Sequence, residues 1–174
     1  MQLSGGYQLR EAEVGTDDEA VTSLIAGYMT WAHARLRDDY GVAEPPADLA
    51  DIRESLAAYR RPAGSLLLAE RDGRSVGVGA VRGLGEDVAE IKRMYVLPEA
   101  RGHHVASRML DTLTSEAFAR GASLIRLDTC RFMTDAQALY RSRRFTEREP
   151  YEGTEIPPRL QHLWLFFERS ADST

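Results

Sequence analysis

Cysteine is nearly missing from this 174-residue chain: Cys130 stands alone. No intrachain disulfide can form, and a reducing compartment is compatible with the composition. Long apolar runs are missing as well, and nothing approaches the ~20 residues that a membrane-spanning helix needs. The start, Met1-Gln2-Leu3-Ser4-Gly5-Gly6, has neither the basic opening nor the apolar core of a signal peptide. A cytoplasmic protein with no membrane partner is expected. There is no excess of positive charge either. Acidic residues outnumber basic ones by 27 to 22, for a net charge of −5. That argues against nucleic acid as the main partner and suits a basic acceptor such as an amine. No linker or repeat interrupts the chain, so residues 1–174 are expected to form one domain with a substantial core. His103 and His104 have no third ligand spaced near them, and no metal is expected.

What is present is concentrated in the stretch from Val96 to Leu110. A strand stops at Pro98 and the chain re-enters a helix through Arg101-Gly102. Helix N-termini carry unpaired N–H groups and a partial positive charge, so a turn feeding into one can cradle a phosphate or pyrophosphate, and the arginine adds a full charge. From Val105 the apolar positions Met109, Leu110, Leu113 and Ala117 share one helical face, and Gly121 suits a C-cap.

Around this unit, residues 7–13 alternate as a half-buried strand does, and Thr16-x-x-Glu19 reads as a capping box opening a helix whose apolar face is Val21, Leu24, Ile25, Tyr28 and Ala32. Residues 38–46 read as a loop. Ile52, Leu56 and Tyr59 mark a second helix ending before Pro62. Strands follow over 65–70, 75–81 and 88–96, the first two joined through Asp72-Gly73. Gly77 and Gly79 suggest a bulge in the middle strand or a close backbone approach. After the long helix come a strand over 124–129, a short helix over 136–143, a loop over 150–158 and a last strand over 162–168, with one further short strand near 145–148. The order βααβββαβαβ, with that extra strand, gives an α/β (α+β) fold with a mixed sheet flanked by helices.

Three segments in order, Glu90-Ile91-Lys92-Arg93-Met94-Tyr95-Val96, then Arg101-Gly102-x-x-Val105-Ala106, then Ala136-x-x-Leu139-Tyr140-x-x-x-Arg144-Phe145, together resemble the GNAT superfamily of acetyl-CoA-dependent N-acetyltransferases over roughly residues 66–168. The resemblance implies a mostly antiparallel sheet of six to seven strands, in which the strand before the phosphate turn and the strand after its helix splay apart around pantetheine. It implies direct acetyl transfer from acetyl-CoA to a primary amine in a ternary complex. Backbone groups of Met94, Tyr95 and Val96 would pair with the pantetheine arm, while Arg101, Gly102, His103, His104, Val105, Ala106 and Ser107 would hold the pyrophosphate.

Tyr140 matches the tyrosine that in many members protonates the leaving thiolate. A phenol with a reference pKa near 10 is protonated at neutral pH and can act as a general acid. Its place on a short helix lets it face either the cleft or the core. Glu90 matches the general base of the histone acetyltransferases in the superfamily; the plain alternative is a surface pair with Lys92. His103 and His104 read equally as phosphate donors and as solvated first-turn residues, and Cys130 reads as a packing residue.

Three positions depart from the family pattern. His104 and Arg144 stand where glycine is usual, and Met133 where an asparagine often meets the pantetheine. The acceptor is expected to be a small-molecule amine, with Trp31, His33, Arg35, Tyr40, Tyr151 and Glu155 among the candidate contacts. The alternatives are a protein N-terminal or lysine acetyltransferase and a catalytically quiet acyl-CoA-binding module. Homodimers are common in the family, and a homodimer stays open as a partner.

Overall fold

The computed structural model describes residues 1–85 and 87–171. Seven strands form one sheet: β1 (Tyr7–Glu11), β2 (Gly64–Arg71), β3 (Arg74–Gly83), β4 (Val88–Val96), β5 (Leu124–Cys130), β6 (Thr146–Arg148) and β7 (Trp164–Ser170). They lie in the order β1-β2-β3-β4-β5-β7-β6. Every neighbour is antiparallel except β4 and β5, which are parallel. The four helices are α1 (Asp18–Tyr40), α2 (Leu49–Ser55), α3 (Val105–Ala119) and α4 (Thr134–Ser142).

Both faces of the sheet are covered, and β2 records this directly. Leu67 and Ala69 face the core built with Met109, Leu110 and Leu113 of α3, while Leu66 and Leu68 face Val21, Ile25 and Ile52 of α1 and α2. A strand buried on both sides reads as a continuous apolar run rather than an alternating one. The β2–β3 turn places Asp72 at φ 52° and Gly73 at φ 76°, the left-handed pair of a type I′ hairpin.

Several local readings of the sequence need correction. The Thr16–Glu19 capping box does not form. Asp17 occupies the N-cap position, but its carboxylate accepts the Glu13 N–H at 2.6 Å and pairs with Arg10 at 2.6 Å. An arginine partner outcompetes the helix's own free N–H groups for that carboxylate. Helix α1 runs through the expected loop start to Tyr40 and stops at Gly41, which is left-handed. The second helix changes to 3-10 geometry over Leu56–Tyr59, and the last strand begins two residues later than expected, after a 3-10 turn over Pro158–Leu163.

β3 does carry a bulge, with Val76 standing extra between Ser75 and Gly77 against Glu70 and Ala69 of β2, and a second bulge lies on β4. Val78 pairs with Tyr95 and Ala80 with Lys92, so Gly79 alone faces both Arg93 and Met94 of β4. Gly79 is there for close approach: a Cβ on it would sit 2.4 Å from the Met109 sulfur and 2.8 Å from that of Met94. Arg93 takes the left-handed conformation, φ 58°, that such a bulge imposes.

The feature that makes a site is the parallel pair. β4 and β5 are in register only at Val88–Leu124, Ala89–Ile125 and Glu90–Arg126, although the strands continue to Val96 and Cys130. Beyond Glu90 they separate and leave both edges open.

Candidate active site

A cleft of about 310 Å³ occupies the gap between β4 and β5. Ile91 to Met94 border it on one side and Asp128 to Cys130 on the other; Tyr28, Met29 and His33 come from α1, Met133 and Tyr140 from the start and the core-facing side of α4, and Glu155 from the segment before β7. Tyr140 joins the two alternatives that its sequence position left open. Its ring packs against Phe145 and Phe167 at centroid distances of 6.2 and 5.8 Å, and its residue also lines the cleft. Burial pushes the phenol well above its ordinary pKa, helped by Tyr28 and Asp128, so it stays protonated through the neutral range. Tyr28 is pushed up to about 12, again chiefly by burial.

At the far end of β4 lies the turn. Gly102 is left-handed at φ 79°, His104 at φ 60°, and α3 begins at Val105. Among the described residues, the backbone N–H groups of residues 102–107 have no hydrogen-bond acceptor. Free N–H groups at a helix start, most of them here reached by solvent, can be met by water or by an anion. Arg101 Nε donates to the Val96 carbonyl at 3.2 Å, which ties the turn to the strand end.

The side chains of the turn differ from one another. Val105 is buried in the core, so it offers only its backbone. The Ser107 hydroxyl donates back to the His104 carbonyl at 2.9 Å, and the His103 ring lies against Tyr7 at 5.0 Å. No group of three or more side chains arranged to hold a metal ion occurs among the described residues.

Glu90 is not half of a surface pair. It is fully buried, and its carboxylate accepts from Arg82 Nε at 2.9 Å and from the Tyr151 hydroxyl at 2.8 Å. Lys92 stands 3.7 Å away but donates to Asp128 at 3.0 Å. Glu155 closes the network against Arg82 at 2.9 Å and Lys92 at 3.5 Å. Burial opposes the charge on Lys92, but Asp128, Glu90 and Glu155 outweigh it and hold the ammonium above its ordinary range. Burial likewise opposes ionisation of Glu155, and Lys92, Arg82 and Arg93 outweigh it, so that carboxyl is held low. Of these groups Lys92, Asp128 and Glu155 line the cleft; Glu90 does not.

Sequence reasoning missed Arg82, Asp128 and the Tyr151 contact. For Asp128 a signal exists: Arg126 and Asp128 alternate with the buried Ile125 and Leu127, which marks a strand with charge on one face. Tyr151 lies 61 residues from Glu90 and carries no such signal, whereas Arg82 is only 8 residues away and faces Glu90 directly across the β3–β4 pair. Met133 borders the cleft, its sulfur 3.4 Å from the Thr129 hydroxyl and 3.9 Å from that of Tyr28. Cys130 is buried with its thiol on the Leu163 carbonyl at 3.3 Å, a packing residue as expected, and burial pushes its thiol pKa up.

This architecture has counterparts among known proteins. The pattern of the Acetyltransferase (GNAT) family matches residues 29–145. A protein from Azospirillum brasilense named an IAA acetyltransferase is 37% identical over 115 residues, which cover 66% of this chain and 72% of that one. Among solved structures, an acetyltransferase from Streptococcus agalactiae superposes with a TM-score of 0.77 at 19% identity, covering 96% of this chain and 99% of the other. The yncA structure from Salmonella typhimurium, solved with its cofactor acetyl-CoA, gives a TM-score of 0.67 at 15% identity, covering 98% of this chain and 96% of the other. With the splayed parallel strands and the matched segment of 117 residues between 29 and 145, the chain belongs to the GNAT acetyltransferase family.

Proposed function

We propose that the chain works as one unit that transfers an acetyl group from acetyl-CoA to the primary amine of a small molecule, by direct attack with both substrates bound. The observation that carries this reading is the row of unpaired N–H groups at residues 102–107, placed where β4 ends and its splay from β5 is open. That row fits the pyrophosphate of a coenzyme A thioester, and Arg101 adds charge to it. The open edge of β4 at Met94, Tyr95 and Val96 offers backbone groups to the pantetheine arm.

Bound acetyl-CoA supplies a thioester carbonyl open to nucleophiles. Tyr140 serves as the general acid: its hydroxyl gives a proton to the sulfur as the carbon–sulfur bond breaks and the carbon–nitrogen bond forms. The amine must shed a proton first, because an alkylammonium has a pKa near 10. Glu90 takes part in this step only at a distance. Its two oxygens already accept from Arg82 and Tyr151, and it lies behind the cleft wall. Water bounded by Asp128 and Glu155 is the nearer proton path.

A small acceptor suits the apolar lining of the cleft, where Leu36, Phe132, Leu160 and Trp164 pack with Val42 and Ile156, and Glu44 pairs with Arg159 at 2.9 Å. The net negative charge and the buried free thiol of Cys130 suit an amine partner and a cytoplasmic setting.

Calorimetric titration with acetyl-CoA, followed by an acceptor panel of small amines and lysine peptides, tests the reading. Micromolar binding with turnover of small amines is expected; turnover of peptides alone would replace the small-molecule acceptor with a protein one, and no binding up to millimolar ligand would remove the cofactor. A related expectation concerns His104. Relieving its left-handed φ in His104→Gly should raise stability by about 1 kcal/mol and leave acetyl-CoA binding at least as tight. Much weaker binding in a calorimeter would make the imidazole itself a ligand.

A further inference from the structure

Three cations and three carboxylates form one network at the floor of the cleft and just behind it: Lys92, Arg93, Asp128 and Glu155 line the cleft, with Arg82 and Glu90 behind them. Five of the six are engaged at hydrogen-bond distance. Arg82 holds Glu90 and Glu155, Lys92 holds Asp128, and each carboxylate is met in return. Arg93 is the exception. Its ion-pair contact with Glu155 is 3.9 Å, beyond hydrogen-bond reach, and its buried Nε has no hydrogen-bond partner among the described residues. A buried guanidinium N–H without a partner loses hydration that nothing replaces; the Nε atoms of Arg60 and Arg126 share this state, but of the three residues only Arg93 lines the cleft.

The backbone adds a second, independent observation. Arg93 sits on the bulge of β4 at φ 58°, where a side chain costs on the order of 10-fold in local equilibrium relative to glycine. Strained backbone of this kind gathers at ligand sites, where the surrounding fold enforces it. Here it brings a cation to the cleft wall, beside Tyr28 and Met29, at the stretch of β4 that faces α1.

We infer that Arg93 is a specificity residue for the acceptor, and that it takes a carboxylate carried by the same small molecule that presents the amine. This rests on the small-molecule reading above and names its substrate class: an aminocarboxylic acid with an apolar body. A planar guanidinium meets a carboxylate through two parallel N–H donors, which neither Lys92 nor a water can imitate. The charge balance agrees. The floor of the cleft is neutral by formal charge, so a zwitterion enters without upsetting it, its carboxylate on Arg93 and its nitrogen toward Glu155 and Asp128. Tyr28, Met29 and Phe132 supply apolar and aromatic surface for the body of the acceptor.

The test compares N-acetylation of leucine and phenylalanine with that of isoamylamine and phenethylamine, which lack only the carboxylate, by the wild type, Arg93→Gly and Arg93→Lys. Arg93→Gly should fold at least as well, because it relieves the positive φ, and its melting temperature verifies that. Its kcat/KM for the two acids should fall by about 10- to 100-fold, mainly through KM, while the two amines and the KM for acetyl-CoA change by less than about 2-fold. Arg93→Lys should recover part of the loss. Because each acceptor is compared with itself across variants, differences in amine basicity cancel. Equal losses for acids and amines, or a wild type that turns over the amines as well as the acids, would overturn the inference while leaving small-molecule acetylation in place. Acetylation of lysine peptides with none of the four small acceptors would overturn both.

Discussion

Tyr140→Phe should lower kcat by about 100-fold or more, the low end of what a positioned general acid contributes, with the affinity for acetyl-CoA nearly unchanged. The hydroxyl is the only group removed, and the ring keeps its packing against Phe145 and Phe167. Since no hydrogen bond holds that hydroxyl among the described residues, its loss leaves no partner stranded and the melting temperature should move little. The pH profile adds a second check. Burial raises the phenol's pKa, so the alkaline loss of rate that belongs to Tyr140 lies above the ordinary tyrosine value of about 10. A fall in acetyl-CoA affinity equal to the fall in rate, measured by calorimetry beside steady-state kinetics, would remove the assignment and make Tyr140 a binding residue.

How much of this was legible in the sequence depends on how local the cause is. The turn from β4 into α3 is legible because proline, Arg-Gly and a helical apolar period fall within fifteen residues. Gly121 is legible too: it sits at φ 96° after α3, with the Ala122 N–H returning to the Ala117 carbonyl at 3.1 Å. Arg144 occupies the matching place after α4 at φ 64°, with the Phe145 N–H on the Tyr140 carbonyl at 3.1 Å, so the position where glycine is usual does adopt the glycine conformation. What escaped is non-local. The paired glycines of β3 announce a bulge, and β3 has one at Val76 against β2, but nothing local announces the second one on β4, opposite Gly79, which yields space to Met94 and Met109. Glu90 alternates with Lys92 as a solvated pair would. Only the register of β3 against β4, and the return of Tyr151 from the segment before β7, bury it among Arg82, Lys92 and a phenol.

That burial leads to the largest expected effect on stability. Glu90→Ala should destabilise the protein by about 3–5 kcal/mol, since removing one member of a buried ion pair leaves its partners charged and dry. Arg82 would keep only Glu155, and the Tyr151 hydroxyl would keep only Asp128, at 3.4 Å. Glu90→Gln should cost less, because the side-chain volume is kept and the amide oxygen still accepts from one of the two donors, while the NH2 that replaces the other oxygen cannot accept and the charge is lost. The same network predicts a pH window. Glu155 is held below its ordinary value, so its contribution is present above the ordinary carboxylate range and fades as pH falls through that lowered pKa. Lys92 is held above its ordinary value, so its contribution is complete below the ordinary lysine range and fades only as pH rises past it. Denaturant melts of both variants across pH separate structure from chemistry. A Glu90→Gln protein that keeps wild-type stability yet loses acetylation by 100-fold or more would restore Glu90 as the base; loss of stability with activity retained per folded molecule leaves it as the buried anchor that fixes the point where β4 and β5 part.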